Sequence, residues 1–219
     1  MQARLFDSVT NTCTLCARRC VIEDGCRGFC RVRENRGGVL HTLTYGEITA
    51  CGIDPVEKKP LFHFLPGTGT VSVSSFGCNF TCSHCQNHTL SQEIRGDALR
   101  AEPEEIVDAA LFSGAESIAF TYNEPTVFYE FMYDVSKLAK DEGLKTAVIT
   151  NGYMTEDAIR EIMSEEKANQ RERIVIYMDD IRQYYPRNML PKDIVADIKS
   201  LLHKRRLEQM RRKENRDAR

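Results

Sequence analysis

The alternation of apolar and polar positions divides the chain into stretches of different period. Residues 1–35 hold few apolar positions, and turn-forming or polar residues such as Arg18, Arg19, Gly25 and Gly28 surround five cysteines. Such a stretch cannot build its own core and needs a metal or a docking partner to order it. Residues 38–64 read as short strands: 39–45 and 47–51 flank Gly46, before Asp54-Pro55 and Lys59-Pro60 interrupt regular structure. From Thr70 strands and helices alternate. Residues 71–76 predict a strand that stops at Gly77. Residues 104–112 have helical spacing through Ile106, Ala109 and Ala110, with Pro103 placed to start the helix. Residues 117–122 predict a second strand, 128–142 a helix closed by Gly143, and 145–150 a third strand ending at Asn151-Gly152. Repeated strand–helix–strand units imply a parallel sheet with right-handed crossovers. After residue 162 the texture breaks. Residues 163–173 are polar, 174–178 predict one more strand, and 194–212 predict a basic amphipathic helix before a frayed end at 211–219.

Four segments follow: a Cys-rich N-terminal metal-binding segment (1–37), a short β-strand connector (38–69), a strand–helix region (70–162) and a divergent basic helical tail (163–219). The net charge of −2 makes no overall case for nucleic acid or membrane, although about half of the 30 Lys and Arg residues lie after Met163. That basic tail reads as a solvated helix face rather than a nucleic-acid site. No apolar run approaches the roughly 18 residues that span a bilayer. The first residues also lack the basic stretch and apolar core of a signal peptide, so a cytoplasmic location is expected. Nine cysteines are then the anomaly. A reducing compartment disfavours structural disulfides, and cysteine clusters there usually bind metal.

Cys78-Asn-Phe-Thr-Cys82-Ser-His-Cys85 places three thiols directly after a strand. Thiolates suit iron–sulfur clusters and zinc. Three of them leave one iron of a cubane without a protein ligand, free to chelate an amino acid through its amine and carboxylate. The alternative is a zinc loop completed by His84, His88 or a distant cysteine. The second strand ends in Thr121-Tyr122-Asn123-Glu124-Pro125 and the third in Thr150-Asn151-Gly152-Tyr153. Ligands of parallel sheets sit at such carboxyl ends. Taken alone, the first reads as a helix-start turn and the second as a turn closing a strand.

Cys-x3-Cys-x2-Cys at the end of a first strand resembles the radical-SAM signature. Residues 121–125 resemble that superfamily's Ser-Gly-Gly-Glu-Pro element, with Tyr122 and Asn123 in place of its glycines. His84 stands where the family usually has an aromatic. The resemblance implies an α/β fold, a partial (β/α) barrel of radical-SAM type. It further implies a [4Fe-4S] cluster on Cys78, Cys82 and Cys85, and S-adenosylmethionine held by Tyr122, Asn123, Glu124 and Asn151. Reductive cleavage of that cofactor gives a 5′-deoxyadenosyl radical that abstracts a hydrogen atom. An electron donor such as flavodoxin or ferredoxin is implied, with a protein or small-molecule substrate.

The array Cys13, Cys16, Cys20, then Gly-Phe-Cys30-Arg-Val-Arg-Glu-Asn35, then the stretch from Asp54 to Gly67, narrows the likeness. Over residues 10–162 the chain is similar to the radical-SAM enzymes of the AmmeMemoRadiSam system, relatives of pyruvate formate-lyase activating enzymes. By that analogy Cys13, Cys16, Cys20 and Cys30 form a second metal site, holding zinc or a second iron–sulfur cluster. A structural metal is favoured slightly, because four thiols leave no open position. Cys26 is an extra thiol. Asp54, Glu57, Lys58 and Lys59 line the approach to the site or form a surface ion-pair cluster.

Relatives continue through about six strand–helix units, whereas about three are recognisable here before residue 163, with a faint echo at Asp180-Ile181-Arg182. The chain therefore reads as truncated or recombined, with an incomplete barrel. Missing strands leave the radical open to solvent, so the rival expectation is an iron–sulfur or zinc-binding remnant without turnover. The exposed edge of the third strand also invites self-association, unless the tail or a second chain covers it.

Overall fold

The computed structural model describes residues 1–94, 98–164 and 175–176, all within a compact unit spanning Met1–Met178. The polar stretch at 165–173, the echo at 180–182 and the basic helix and tail at 194–219 lie outside the described residues. In chain order the strands begin with β1 (Phe6–Asp7), β2 (Thr12–Cys13), β3 (Arg33–Arg36), β4 (Val39–Thr42), β5 (Glu47–Ile48), β6 (Ala50–Pro55) and β7 (Gly69–Ser74). There follow α1 (His88–Gln92), β8 (Leu99–Arg100), α2 (Pro103–Ser113), β9 (Ser117–Phe120) and α3 (Tyr129–Asp141). The described elements end with β10 (Lys145–Val148), α4 (Glu156–Ser164) and β11 (Val175–Ile176).

The principal sheet has the order β11-β10-β9-β7-β6. Its first four strands are parallel, and β6 runs antiparallel along β7. All four residues of β9 are fully buried, as a central strand covered on both faces requires. Phe120 meets Phe128, with ring centroids 6.3 Å apart. Ala119 and Ala147 are small because the β6–β7 connection crosses them, packing Val56 and Leu61 there with Phe64 and Ile149 at the margin. Helix α2 starts on Pro103 with the Glu105 carboxylate accepting from the Glu102 N–H at 2.8 Å, and ends on Gly114 at φ 69°. Among the described residues the fold is α/β with a mixed sheet that does not close into a barrel.

Two features depart from expectation. Strand β6 runs through Asp54-Pro55 instead of breaking there. It is an edge strand, and Pro55 occupies its last pair, opposite Gly69, where a missing N–H is tolerated. The helix expected from residue 128 is preceded by a 3-10 turn, Pro125–Phe128, whose Thr126 N–H donates to the Glu124 side chain. The strand expected over 174–178 is present as β11, which pairs with β10 at Ala147↔Val175 and Val148↔Ile176 and gives the third strand a neighbour. Its edge is covered there by the chain that follows.

The N-terminal segment is ordered by docking. Leu15, Ile22 and Val32 are buried; the Ala17 N–H donates to Tyr153 O at 2.9 Å, and Thr155 Oγ1 to Thr14 O at 2.7 Å. At the centre of this joint Arg33 of β3 forms an ion pair with Glu130 in the first turn of α3, each side chain 1% exposed. The Arg4 N–H donates to the same carboxylate at 2.8 Å, and Arg33 Nη1 donates to Arg4 O at 2.9 Å. Removing one member of such a pair strands a buried charge, which costs more than the pair contributes. Glu130→Ala is expected to lower the unfolding free energy by about 3–5 kcal/mol in urea titrations. Arg33→Met/Glu130→Leu, which removes both charges, is expected to recover most of that loss.

Candidate functional site

The chain leaves β7 through Ser75, Phe76 and Gly77 into the cysteine loop. Gly77 has φ 83°, and a Cβ there would stand 2.9 Å from both Cys30 O and Val32 Cγ1. Only glycine turns the chain this close to the N-terminal segment. Asn123, at the end of β9, holds the turn: its Oδ1 accepts from the Ser75 N–H at 3.1 Å, and its Nδ2 donates to Phe76 O at 3.2 Å and Gly77 O at 3.0 Å. The loop then closes on itself and on α1. The Phe80 N–H donates to Cys78 Sγ at 3.3 Å, Cys85 Sγ lies 3.4 Å from Ser91 Oγ, and Gln92 Nε2 donates to Phe80 O at 2.8 Å.

Cys78, Cys82 and Cys85 are half-buried thiols outside any disulfide. Burial pushes the Cys78 thiol up to about 12. The nearby Glu124 carboxylate and the Cys82 and Cys85 thiols add to the rise, against the Phe80 N–H. Three thiols and a carboxylate thus share one neighbourhood, where thiolates need a compensating positive charge. A metal centre supplies it and displaces the protons. The donor set therefore fits an iron–sulfur cluster.

Glu124 is 4% exposed. Its Oε1 accepts from the Thr126 N–H at 2.9 Å, from Thr126 Oγ1, and from Thr150 Oγ1 at 2.6 Å; its Oε2 accepts from the Asn151 N–H at 2.7 Å. Burial pushes the carboxyl up, and these donors draw it back. Asn151 Nδ2 in turn donates to Asn79 Oδ1 at 2.7 Å. The four residues expected at the cofactor, Tyr122, Asn123, Glu124 and Asn151, are therefore brought together beside the cysteine loop. Their polar groups also have internal partners: the Tyr122 carbonyl accepts from Asn87 Nδ2 at 2.7 Å. Glu124 Oε2 has one hydrogen bond among the described residues, and a carboxylate oxygen accepts more than one.

Asp54 lies beneath this edge. It accepts from Lys58 Nζ and Lys59 Nζ, each at 2.6 Å, from Ser72 Oγ at 2.8 Å and from the Tyr122 hydroxyl at 2.6 Å. Lys59 is buried, with Nζ 4.5 Å from the Tyr122 ring centroid, whereas Lys58 is exposed. Glu57 stands apart and accepts from the Gly67 N–H at 2.6 Å. Tyr122 adopts φ 68°, a backbone disfavoured for a residue with a Cβ, while its phenol is anchored on Asp54. Sequence reasoning missed Ser72 and the Tyr122 phenol, since nothing local pairs them with residue 54.

The N-terminal thiols Cys13, Cys16, Cys20 and Cys30 line one pocket, together with Arg33 and Asn79. Burial pushes Cys16 up to about 12, against the Arg18 N–H and with Cys13, Cys30 and Cys20 adding; burial raises Cys30 as well. Cys26 and Cys51 are exposed. Among the described residues, no three His, Cys, Asp or Glu side chains are drawn to the spacing of one metal ion. Asn79 was also missed. It occupies an unspecified position of the cysteine motif, yet it is fully buried, and Arg18 Nε donates to its carbonyl.

A pH dependence follows from Asp54. Burial pushes its carboxyl up, but Lys58, Lys59, Tyr122 and Ser72 outweigh burial and hold it well below the ordinary aspartate value of 3.8. A depressed folded-state value contributes stability that is present above 3.8 and lost as pH falls below it. In denaturant titrations across that range, the wild type is expected to lose stability relative to Asp54→Asn only on the acid side. A stability gap independent of pH would contradict this network.

Comparison with known proteins places the whole. Residues 72–204, more than half of the chain, match the family model of the Radical SAM superfamily. The chain is 49% identical over 150 residues to an uncharacterized protein of Methanocaldococcus jannaschii, covering 68% of this chain and 45% of that protein. It is 35% identical over 95 residues to the pyruvate formate-lyase-activating enzyme of Clostridium pasteurianum, covering 40% and 38% of the two chains. A third relative, from M. jannaschii and provisionally named a glycyl-radical enzyme activating enzyme, is 26% identical over 114 residues, covering 52% and 42%. The chain spans less than half the length of these relatives. With its three-thiol loop at the carboxyl end of β7 and a match that runs on to residue 204, the chain belongs to the radical SAM superfamily.

Proposed function

We propose that the chain is a radical SAM enzyme of activating-enzyme type, in which Cys78, Cys82 and Cys85 hold a [4Fe-4S] cluster with one iron left open. The observation that carries this reading is the shared neighbourhood of three thiols and the buried Glu124 in a chain of this superfamily. S-Adenosylmethionine bound at the open iron supplies, on one-electron reduction, the 5′-deoxyadenosyl radical that abstracts hydrogen from substrate. The protein's own part is positional. Asn123 fixes where the cysteine loop begins, and Glu124 locks Thr150 and Asn151 beside it. The spare capacity of Glu124 Oε2, with Tyr122, Asn123 and Asn151, forms the edge that receives the cofactor's methionine end.

The N-terminal cysteine array and residues 54–67 support placement with the AmmeMemoRadiSam enzymes. The names of the relatives support a protein substrate. Reductive cleavage of the cofactor calls for a one-electron donor such as flavodoxin or ferredoxin. Cys13, Cys16, Cys20 and Cys30 form the second metal site. No helix among the described residues is long and apolar enough to cross a membrane, and we place the protein in the cytoplasm. A second reading, metal binding without turnover, draws on the internal hydrogen bonds already made by Glu124 and the Tyr122 carbonyl.

Anaerobic reconstitution with iron and sulfide is expected to give broad iron–sulfur absorbance. Dithionite and S-adenosylmethionine should then release 5′-deoxyadenosine, which Cys82→Ala abolishes. A chain that takes up no cluster overturns the proposal. A cluster without 5′-deoxyadenosine selects the second reading.

A further inference from the structure

The pocket walled by Cys13, Cys16, Cys20 and Cys30 contains two buried donors that find no acceptor among the described residues. They are Asn79 Nδ2 and Arg33 Nε, in residues 0% and 1% exposed, and both residues line the pocket. Another nitrogen of the same guanidinium, Arg33 Nη1, does reach a thiol, donating to Cys13 Sγ at 3.6 Å. Buried N–H groups are almost always paired, so two orphans in one pocket point to acceptor atoms within its space. A zinc ion adds no acceptor beyond the four thiolates, and among the described residues no three such side chains are drawn to the spacing of one metal ion. An iron–sulfur core holds its thiolates farther apart and adds sulfide acceptors between them. Donors to those sulfurs are a recognised means of setting a cluster's potential.

Asn79 also touches the other thiol set. It follows Cys78 directly, its Oδ1 accepts from Asn151 at 2.7 Å, and its carbonyl accepts from Arg18, which lies between Cys16 and Cys20. We infer that Cys13, Cys16, Cys20 and Cys30 hold a second iron–sulfur cluster that passes electrons across Asn79 to the cluster on the Cys78 loop. The relay rests on the function proposed above; the second cluster does not. One electron from a low-potential one-electron carrier protein, which is oxidised by one, reduces the N-terminal cluster. That cluster returns to its resting state as it reduces the Cys78-loop cluster by one. No bond forms or breaks in the transfer.

The test separates the two claims. Cys78/Cys82/Cys85→Ala, reconstituted anaerobically, is expected to retain about four iron and four sulfide per chain. It should also keep an electron paramagnetic resonance (EPR) signal on reduction. Zinc alone, or no iron, in this variant overturns the second cluster and leaves the Cys78-loop proposal standing. Adding Asn79→Leu to the same variant removes a donor to the sulfurs and is expected to lower the midpoint potential. An unchanged potential removes Asn79 from the wall of the cluster. In the full chain, Asn79→Leu is expected to slow reduction of the Cys78-loop cluster by reduced ferredoxin, followed by freeze-quenched EPR; an unaltered rate overturns the relay.

Discussion

Three parallel strands end side by side in this protein, and short buried side chains keep those ends in register. Asn123 reaches back to Ser75, Phe76 and Gly77 at the exit of β7, while its neighbour Glu124 reaches forward to Thr150 and Asn151 at the exit of β10. Asn151 completes the circuit by bonding Asn79 inside the cysteine loop. Each member is a group whose burial is tolerable only while its partners are present, so removing one leaves others unsatisfied. The position of the three thiols is a consequence of this circuit. A flexible loop of eight residues would not otherwise present them at a fixed place on the sheet edge.

The same circuit explains why the N-terminal segment belongs to the site. That segment lacks a core of its own and takes its order from the strand–helix unit, through Arg33 on Glu130 and through main-chain bonds to Tyr153 and Thr155. Docking in this way sets Cys30 and Val32 against Gly77, and Arg18 against Asn79. Asn79 joins the two thiol sets, since it follows Cys78 in the chain and lines the pocket of the N-terminal thiols.

Local patterns made much of this legible. The apolar runs of β7, β9 and β10 and the periodicity of α2 and α3 are short-range signals, and the Cys-x3-Cys-x2-Cys spacing is complete within eight residues. The pairing of distant residues was not legible. Arg33 and Glu130 are 97 positions apart, and Asp54 and Tyr122 are 68 apart; no local feature of either residue names its partner. Asn79 was hidden because a motif specifies its cysteines and leaves the positions between them open. Strand β6 was cut short by the assumption that Pro55 ends a strand, which holds for central strands and fails at an edge. The texture change after residue 162 was legible, but the superfamily match continues across it to residue 204.

The proposed Cys78-loop cluster keeps one iron free of protein ligands, and a sulfonium amino acid completes it. EPR spectroscopy of the dithionite-reduced protein, recorded with and without S-adenosylmethionine, reads that iron directly. The signal of the Cys78-loop cluster is expected to change shape and g-values when the cofactor is added, because its coordination changes. Spectra that superimpose at saturating cofactor, from a protein whose cluster content has been verified, would contradict the proposal.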